Sequence, residues 1–144
     1  MRDFKDQVTV LHAIAPQTVS TTGAAGGRLS ALIDRRDYDK CLFVFSYGTT
    51  ASAVDTMNVI MYEGDSTTTS TFTSVADVYL NGTEAGAGYA AGAKASGVTQ
   101  NVAKSVGYSG LKRYVRARVY STGSATGLIS AVAVLSAPRS TTAN

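Results

Sequence analysis

Lys112-Arg113-Tyr114-Val115-Arg116-Ala117-Arg118-Val119-Tyr120 alternates strictly in character. Side chains on an extended chain point to opposite faces with period two, so Val115, Ala117 and Val119 share one face and Lys112, Tyr114, Arg116, Arg118 and Tyr120 share the other. A face of small apolar residues belongs against a core. The opposite face is a basic and aromatic row, built from residue types enriched at protein interfaces. The stretch therefore predicts a strand over residues 111–120 and names a candidate interface on its outer side: Lys112, Tyr114, Arg116, Arg118 and Tyr120.

Working outward, the Gly-containing segment 121–124 and the apolar run 126–135 predict a hairpin partner for that strand. Upstream, residues 98–106 read as a further strand, followed by a turn at Gly107-Tyr108-Ser109-Gly110. Cys41-Leu42-Phe43-Val44-Phe45-Ser46-Tyr47 is short, rich in aromatic and β-branched residues, and apolar on both faces, as expected of a buried strand. Met57-Asn58-Val59-Ile60-Met61-Tyr62 is another, ending at the turn Glu63-Gly64-Asp65-Ser66. Residues 28–33 predict a short strand closed by the charged corner 34–40. Residues 67–75 have β-propensity with Phe72 as their anchor. Residues 8–11 predict either a first strand or part of an extended arm, because Pro16 disfavours a helix and removes a backbone donor. Glycines recur every few residues from 81 to 97, where each would cost about 1 kcal/mol in a helix, so a long loop is expected.

The composition agrees with an all-β chain. Of 144 residues 44 % are apolar and only 16 % charged, against about 25 % charged in an ordinary globular domain. Ser, Thr, Asn and Gly must then supply the polar surface, and these suit strands and turns. The length fits one domain over residues 1–144, with residues 1–16 as an arm and 137–144 as a tail. The predicted fold is a β-sandwich of jelly-roll type with an extended N-terminal arm.

The titratable residues argue against an enzyme. His12 is the single histidine and Cys41 the single cysteine, so no Cys/His zinc spacing and no disulfide within the chain can be formed. A histidine-dependent triad could use only His12, and no nucleophile motif stands near it. Gly86-Ala87-Gly88 with Gly92 misses the dinucleotide fingerprint by one position, and Lys94 does not follow a glycine as a phosphate loop requires. Catalytic residues, cofactor-binding residues and metal ligands are all expected to be absent. The formal charge of +3 is small, so nucleic acid is not an expected partner. The charged opening segment and the lack of an apolar run of about 18 residues predict neither a secretory leader nor a membrane span.

Three stretches carry a resemblance: Met1-Arg2-Asp3-Phe4-Lys5-Asp6-Gln7; Glu63-x-Asp65 with Thr71-Phe72-Thr73-x-Val75; and Val106-Gly107-Tyr108-Ser109-Gly110-Leu111-Lys112-Arg113-Tyr114-Val115-Arg116, with Pro138-Arg139 at the end. Together they resemble a family of small proteins encoded beside the major capsid protein in tailed bacteriophages. The resemblance implies a virion structural role, with the chain as a capsid cement (decoration) subunit on the capsid exterior, assembled in the host cytoplasm. Its expected partners are the major capsid protein and itself, as a homodimer or homotrimer. The Gly/Ala-rich stretch 81–97 departs from the family pattern. The alternative expectation is a tail or head-fibre module that binds host glycans through its tyrosines; the chain has eight Tyr and no Trp.

Overall fold

The computed structural model describes residues 4–19, 23–50, 56–89, 101–122 and 127–138. Ten strands are present among them, all paired antiparallel: β1 (Val8–Val19), β2 (Arg28–Leu29), β3 (Ile33–Asp34), β4 (Tyr38–Thr50), β5 (Thr56–Gly64), β6 (Thr73–Ser74), β7 (Leu80–Asn81), β8 (Val102–Tyr108), β9 (Tyr114–Thr122) and β10 (Gly127–Pro138). One sheet has the order β1-β10-β4-β8-β7. The other has β2-β9-β5-β6, with β3 also beside β9. Apart from the pairs β2/β3, β5/β6 and β7/β8, successive strands lie in opposite sheets. That crossing pattern is a jelly roll, as the sequence predicts.

The core lies between the sheets. On β4 the side chains of Cys41, Phe43, Phe45 and Tyr47 point inward and are buried, while Leu42 and Ser46 are exposed. The three rings stack along the strand at 6.2 and 6.3 Å between centroids. They share the core with Val115, Ala117 and Val119 of β9, Met57, Val59 and Met61 of β5, and Ala131 and Ala133 of β10. Small residues on the neighbouring strands leave room for the rings. Each fully buried large apolar side chain contributes about 1.5–3 kcal/mol. Two inner strands of this sheet are apolar on the outside too, with Leu42 and Val44 on β4 and Leu128, Val132 and Val134 on β10.

Several expectations are corrected. From Val8 onward the N-terminal segment is the edge strand β1, paired along its length with β10, and not a free arm. Pro16 sits inside it, where the register shifts between His12 and Ile14 and again between Ile14 and Gln17. An edge strand with an irregular register tolerates the missing donor. The expected hairpin between residues 111–120 and 126–135 does not form. β9 and β10 lie in different sheets, and each already has partners on both sides. A short Ser/Thr/Gly connection serves a sheet crossing as well as a hairpin, so the local signal was ambiguous; residues 123–126 lie outside the described ones.

Strand bounds also move. Residues 28–33 split into β2 and β3 because Ser30 intervenes: its N–H donates to the Ala117 carbonyl at 2.8 Å and its Oγ accepts from the Ala117 N–H at 2.9 Å. Glu63 and Gly64 continue β5 and Gly107 and Tyr108 continue β8, where turns were expected. Residues 67–75 yield only the short β6 and a 3-10 turn at Thr69–Thr71.

The expected loop at 81–97 is structured in its first half. The one-turn helix α1 (Glu84–Ala87) is capped by Thr83, whose Oγ1 accepts from the Gly86 N–H at 2.9 Å. Tyr89 then bridges to Met57. Residues 90–97 lie outside the described ones. Of the expected tail at 137–144, Ala137 and Pro138 belong to β10, and residues 139–144 lie outside the described ones.

Candidate functional site

The strand β9 presents its row as the alternation requires, with two changes. Val115, Ala117 and Val119 are fully buried, whereas Arg116, Arg118 and Tyr120 are half-buried on the outer face. Tyr114 shares that side but is buried, with the Arg113 guanidinium 4.7 Å above its ring. Lys112 precedes the strand and leaves the row; its ammonium pairs with Asp65.

Register assigns the rest of the face. Tyr62 lies opposite Arg116, Ile60 opposite Arg118 and Asn58 opposite Tyr120 on β5, with Leu29 opposite Arg118 on β2. The Arg116 guanidinium lies 4.8 Å from the Phe72 ring and 5.9 Å from the Tyr62 ring, and that of Arg118 lies 5.5 Å from Tyr62. The order Phe72–Arg116–Tyr62–Arg118 is a ladder of alternating ring and cation. Each such contact is worth about 0.5–1 kcal/mol at an exposed site. Arg118 also donates from Nη1 to the Ala24 carbonyl at 3.0 Å. The covered Nε atoms of Arg116 and Arg118 make no hydrogen bond. The cross-strand neighbours of these two arginines are aromatic or aliphatic, and among the described residues neither arginine is paired with a carboxylate. The ladder holds the two guanidinium groups against the rings. Sequence alternation found Arg116 and Arg118; it missed Tyr62 and Phe72, because only the β5–β9 register brings them there.

A second cluster closes one end of the sandwich. Tyr108 donates its hydroxyl to Glu63, and the same oxygen accepts from the Lys112 N–H at 3.1 Å. Arg113 binds Asp34 through two bonds of 3.0 and 2.6 Å. Hydrogen bonding from Arg113 holds the Asp34 carboxyl below its usual value, and Lys112 does the same for Asp65. Burial, then the Glu63 hydrogen bond, pushes the Tyr108 hydroxyl well above the ordinary tyrosine range. It is therefore a donor at every working pH. Three shallow pockets surround this cluster, of about 310, 120 and 320 Å³. Leu111 lines the first two and is 89 % exposed.

Two other singled-out residues are quiet. His12 is exposed on β1. Cys41 is buried, and burial raises its thiol to about 12, so it is a packed residue and no nucleophile. Among the described residues, no three or more His, Cys, Asp or Glu lie together as metal ligands, and no helix is long and apolar enough to cross a membrane.

No family model and no curated protein matches the chain. Among solved structures it is similar to the CBM22-1 and GH10 modules of Clostridium thermocellum endo-1,4-β-D-xylanase 10B, crystallised with xylohexaose. The likeness has 10 % identity and a TM-score of 0.47, and covers 93 % of this chain. The chain spans 29 % of that protein's length.

Proposed function

We propose that the chain is a non-enzymatic structural protein of a tailed-phage virion, a decoration subunit that binds the assembled major-capsid lattice and stabilises the shell. The observation that carries this reading is the ladder Phe72–Arg116–Tyr62–Arg118 on the outer face of the β9–β5 sheet. Arginines held between rings, with no carboxylate opposite, form a surface suited to an acidic protein partner.

Two further observations support it. The stretches that carry the family resemblance meet in space: Glu63 and Asp65 from one bind Tyr108, Lys112 and Arg113 from another. They hold the end of the sandwich together, as fold-determining motifs do. The second is the outer face of the other sheet, where Val10 is 60 %, Leu128 50 % and Leu42 38 % exposed. That apolar face is the basis for expecting a homodimer or homotrimer. An oligomer engages several capsid subunits only once they stand in a shell, which raises avidity by about 10²–10⁴.

Co-sedimentation of labelled protein with shells stripped of it, set against free capsid subunits, tests the reading. Strong binding to shells and weak binding to free subunits is expected. Equal affinity for both, or no binding to either, overturns it. Retention on a glycan array without binding to shells would point to a tail or head-fibre module.

A further inference from the structure

The outer faces of the two sheets differ in kind. The sheet containing β9 turns Arg116 and Arg118 outward, whereas the sheet containing β10 carries an apolar ridge beside a shallow lane. The ridge is Val132 and Val134 of β10 with Leu42 and Val44 of β4, and Val10 of β1 stands next to Val134. The lane is β8, which presents only Ala103, Ser105 and Gly107 outward. Leu42 is in register with Gly107 and Val44 with Ser105, so ridge and lane lie side by side. Between Lys40 at one end and Gly48 at the other, the outward side chains of β1, β10, β4 and β8 include no Lys, Arg, Asp or Glu. His12 stands at the β1 margin.

We propose that this face seats a second copy of the chain, sheet against sheet, about a two-fold axis running along the strands. Such an axis reverses the strand order between the copies. The β8 lane of each copy then lies over the β1–β10 side of the other, and large side chains meet small ones twice over. The absence of charge lets the face meet itself without repulsion. The opposite sheet cannot do so, because pairing it with itself would set arginines against arginines. With strands about 4.8 Å apart and outward rows about 6.7 Å apart, four strands by four rows cover about 500 Å² in projection. Two copies therefore cover about 1,000 Å², the threshold of a specific interface, and the dimer should hold in the micromolar range. Both arginine–aromatic ladders stay on the outside of the pair. The proposal rests on the self-association in the capsid reading and adds the face, the number of copies and the symmetry.

Sedimentation equilibrium of the full chain from about 1 to about 500 μM tests it, and a monomer–dimer equilibrium is expected. Leu42→Lys puts a charge on the ridge and Ala103→Arg fills the lane. Both positions are exposed in the single chain, so circular dichroism should show the fold unchanged, and if one variant unfolds the other decides. Each should weaken the dimer by about tenfold or more. Leu111→Lys, at the end of the sandwich, is the control and should leave the dimer intact. A chain that stays monomeric, a trimer, a dimer that survives either folded variant, or one that Leu111→Lys breaks as readily overturns the proposal. A monomer that binds stripped shells would remove this dimer and leave the capsid reading standing, and a dimer that ignores shells would do the reverse.

Discussion

Tyr108 on β8 donates its hydroxyl to the Glu63 carboxylate on β5, so one hydrogen bond staples the two sheets of the sandwich together at their end. The same oxygen accepts from the Lys112 N–H, which anchors the connection leading into β9. Tyr108→Phe removes both bonds and leaves the carboxylate without its donor. A loss of about 1–3 kcal/mol in urea unfolding is expected, the cost of stranding a partly buried charged acceptor. Glu63→Gln keeps an acceptor oxygen and should lose less. A Tyr108→Phe variant as stable as the parent would mean that the staple contributes nothing.

Val115 is fully buried and Arg116, its neighbour, is half-exposed. Val115→Asp places an unpaired charge between the sheets and should cost about 4 kcal/mol or more. Arg116→Ala breaks two ring contacts at the surface, for about 1 kcal/mol or less. Thermal melts of the two variants separate these outcomes. Comparable losses would mean that the facing of β9 is wrong.

Gly88 packs directly on the backbone of β5. A Cβ at this position would collide with the Met57 carbonyl oxygen, which accepts the Tyr89 N–H at 2.9 Å. Neither backbone can yield without breaking that bridge, so Gly88→Ala should destabilise by about 1–3 kcal/mol. At Gly86 the added carbon meets only the Thr83 side chain. Gly86→Ala should therefore have the smaller effect on the melting temperature.

The division of β9 into buried Val115, Ala117 and Val119 against half-buried Arg116, Arg118 and Tyr120 follows from period-two geometry alone. Lys112 could not be excluded from the row by alternation, because β9 begins where Gly64 and Asp34 offer Tyr114 its partners, and those lie far away in sequence. Arg35 reads as one more charge in a polar corner. Its burial depends on Tyr108, which is 73 residues away and approaches only when the sheets close. The absent hairpin has the same cause, since β10 is apolar on both faces and nothing local says which strands will flank it.

Three carboxyl groups give stability a predictable pH profile. Asp34 and Asp65 have folded values below their ordinary 3.8, so the stability they contribute is present above that value and lost as pH falls through the lowered ones. Glu84 is the opposite case. Burial raises it above its ordinary 4.5, although its Oε1 accepts from the Met61 N–H at 2.6 Å. A raised folded value means that stability falls as pH rises from 4.5 through that value. Glu84→Gln retains the acceptor and removes the charge. It should be as stable as the parent or more so at neutral pH, and the gap should narrow as pH falls towards 4.5. A gap that widens on acidification would contradict the sign.

On the capsid reading, Arg116 and Arg118 act mainly on encounter. Among the described residues no carboxylate pairs with them, and such charges steer association more than they set the strength of the final complex. Between about 0.01 and 1 M salt the screening length falls from about 30 to about 3 Å. Attachment to stripped shells should slow steeply over that range while dissociation changes little. Arg116→Ala with Arg118→Ala should slow attachment by about tenfold at low salt and remove most of the salt dependence. Lys112→Ala is the control, because that ammonium is already engaged by Asp65 and should leave the rate nearly unchanged. Rates of attachment and release measured on immobilised shells separate the two effects. A double variant that attaches at the parental rate would remove this face from the interface.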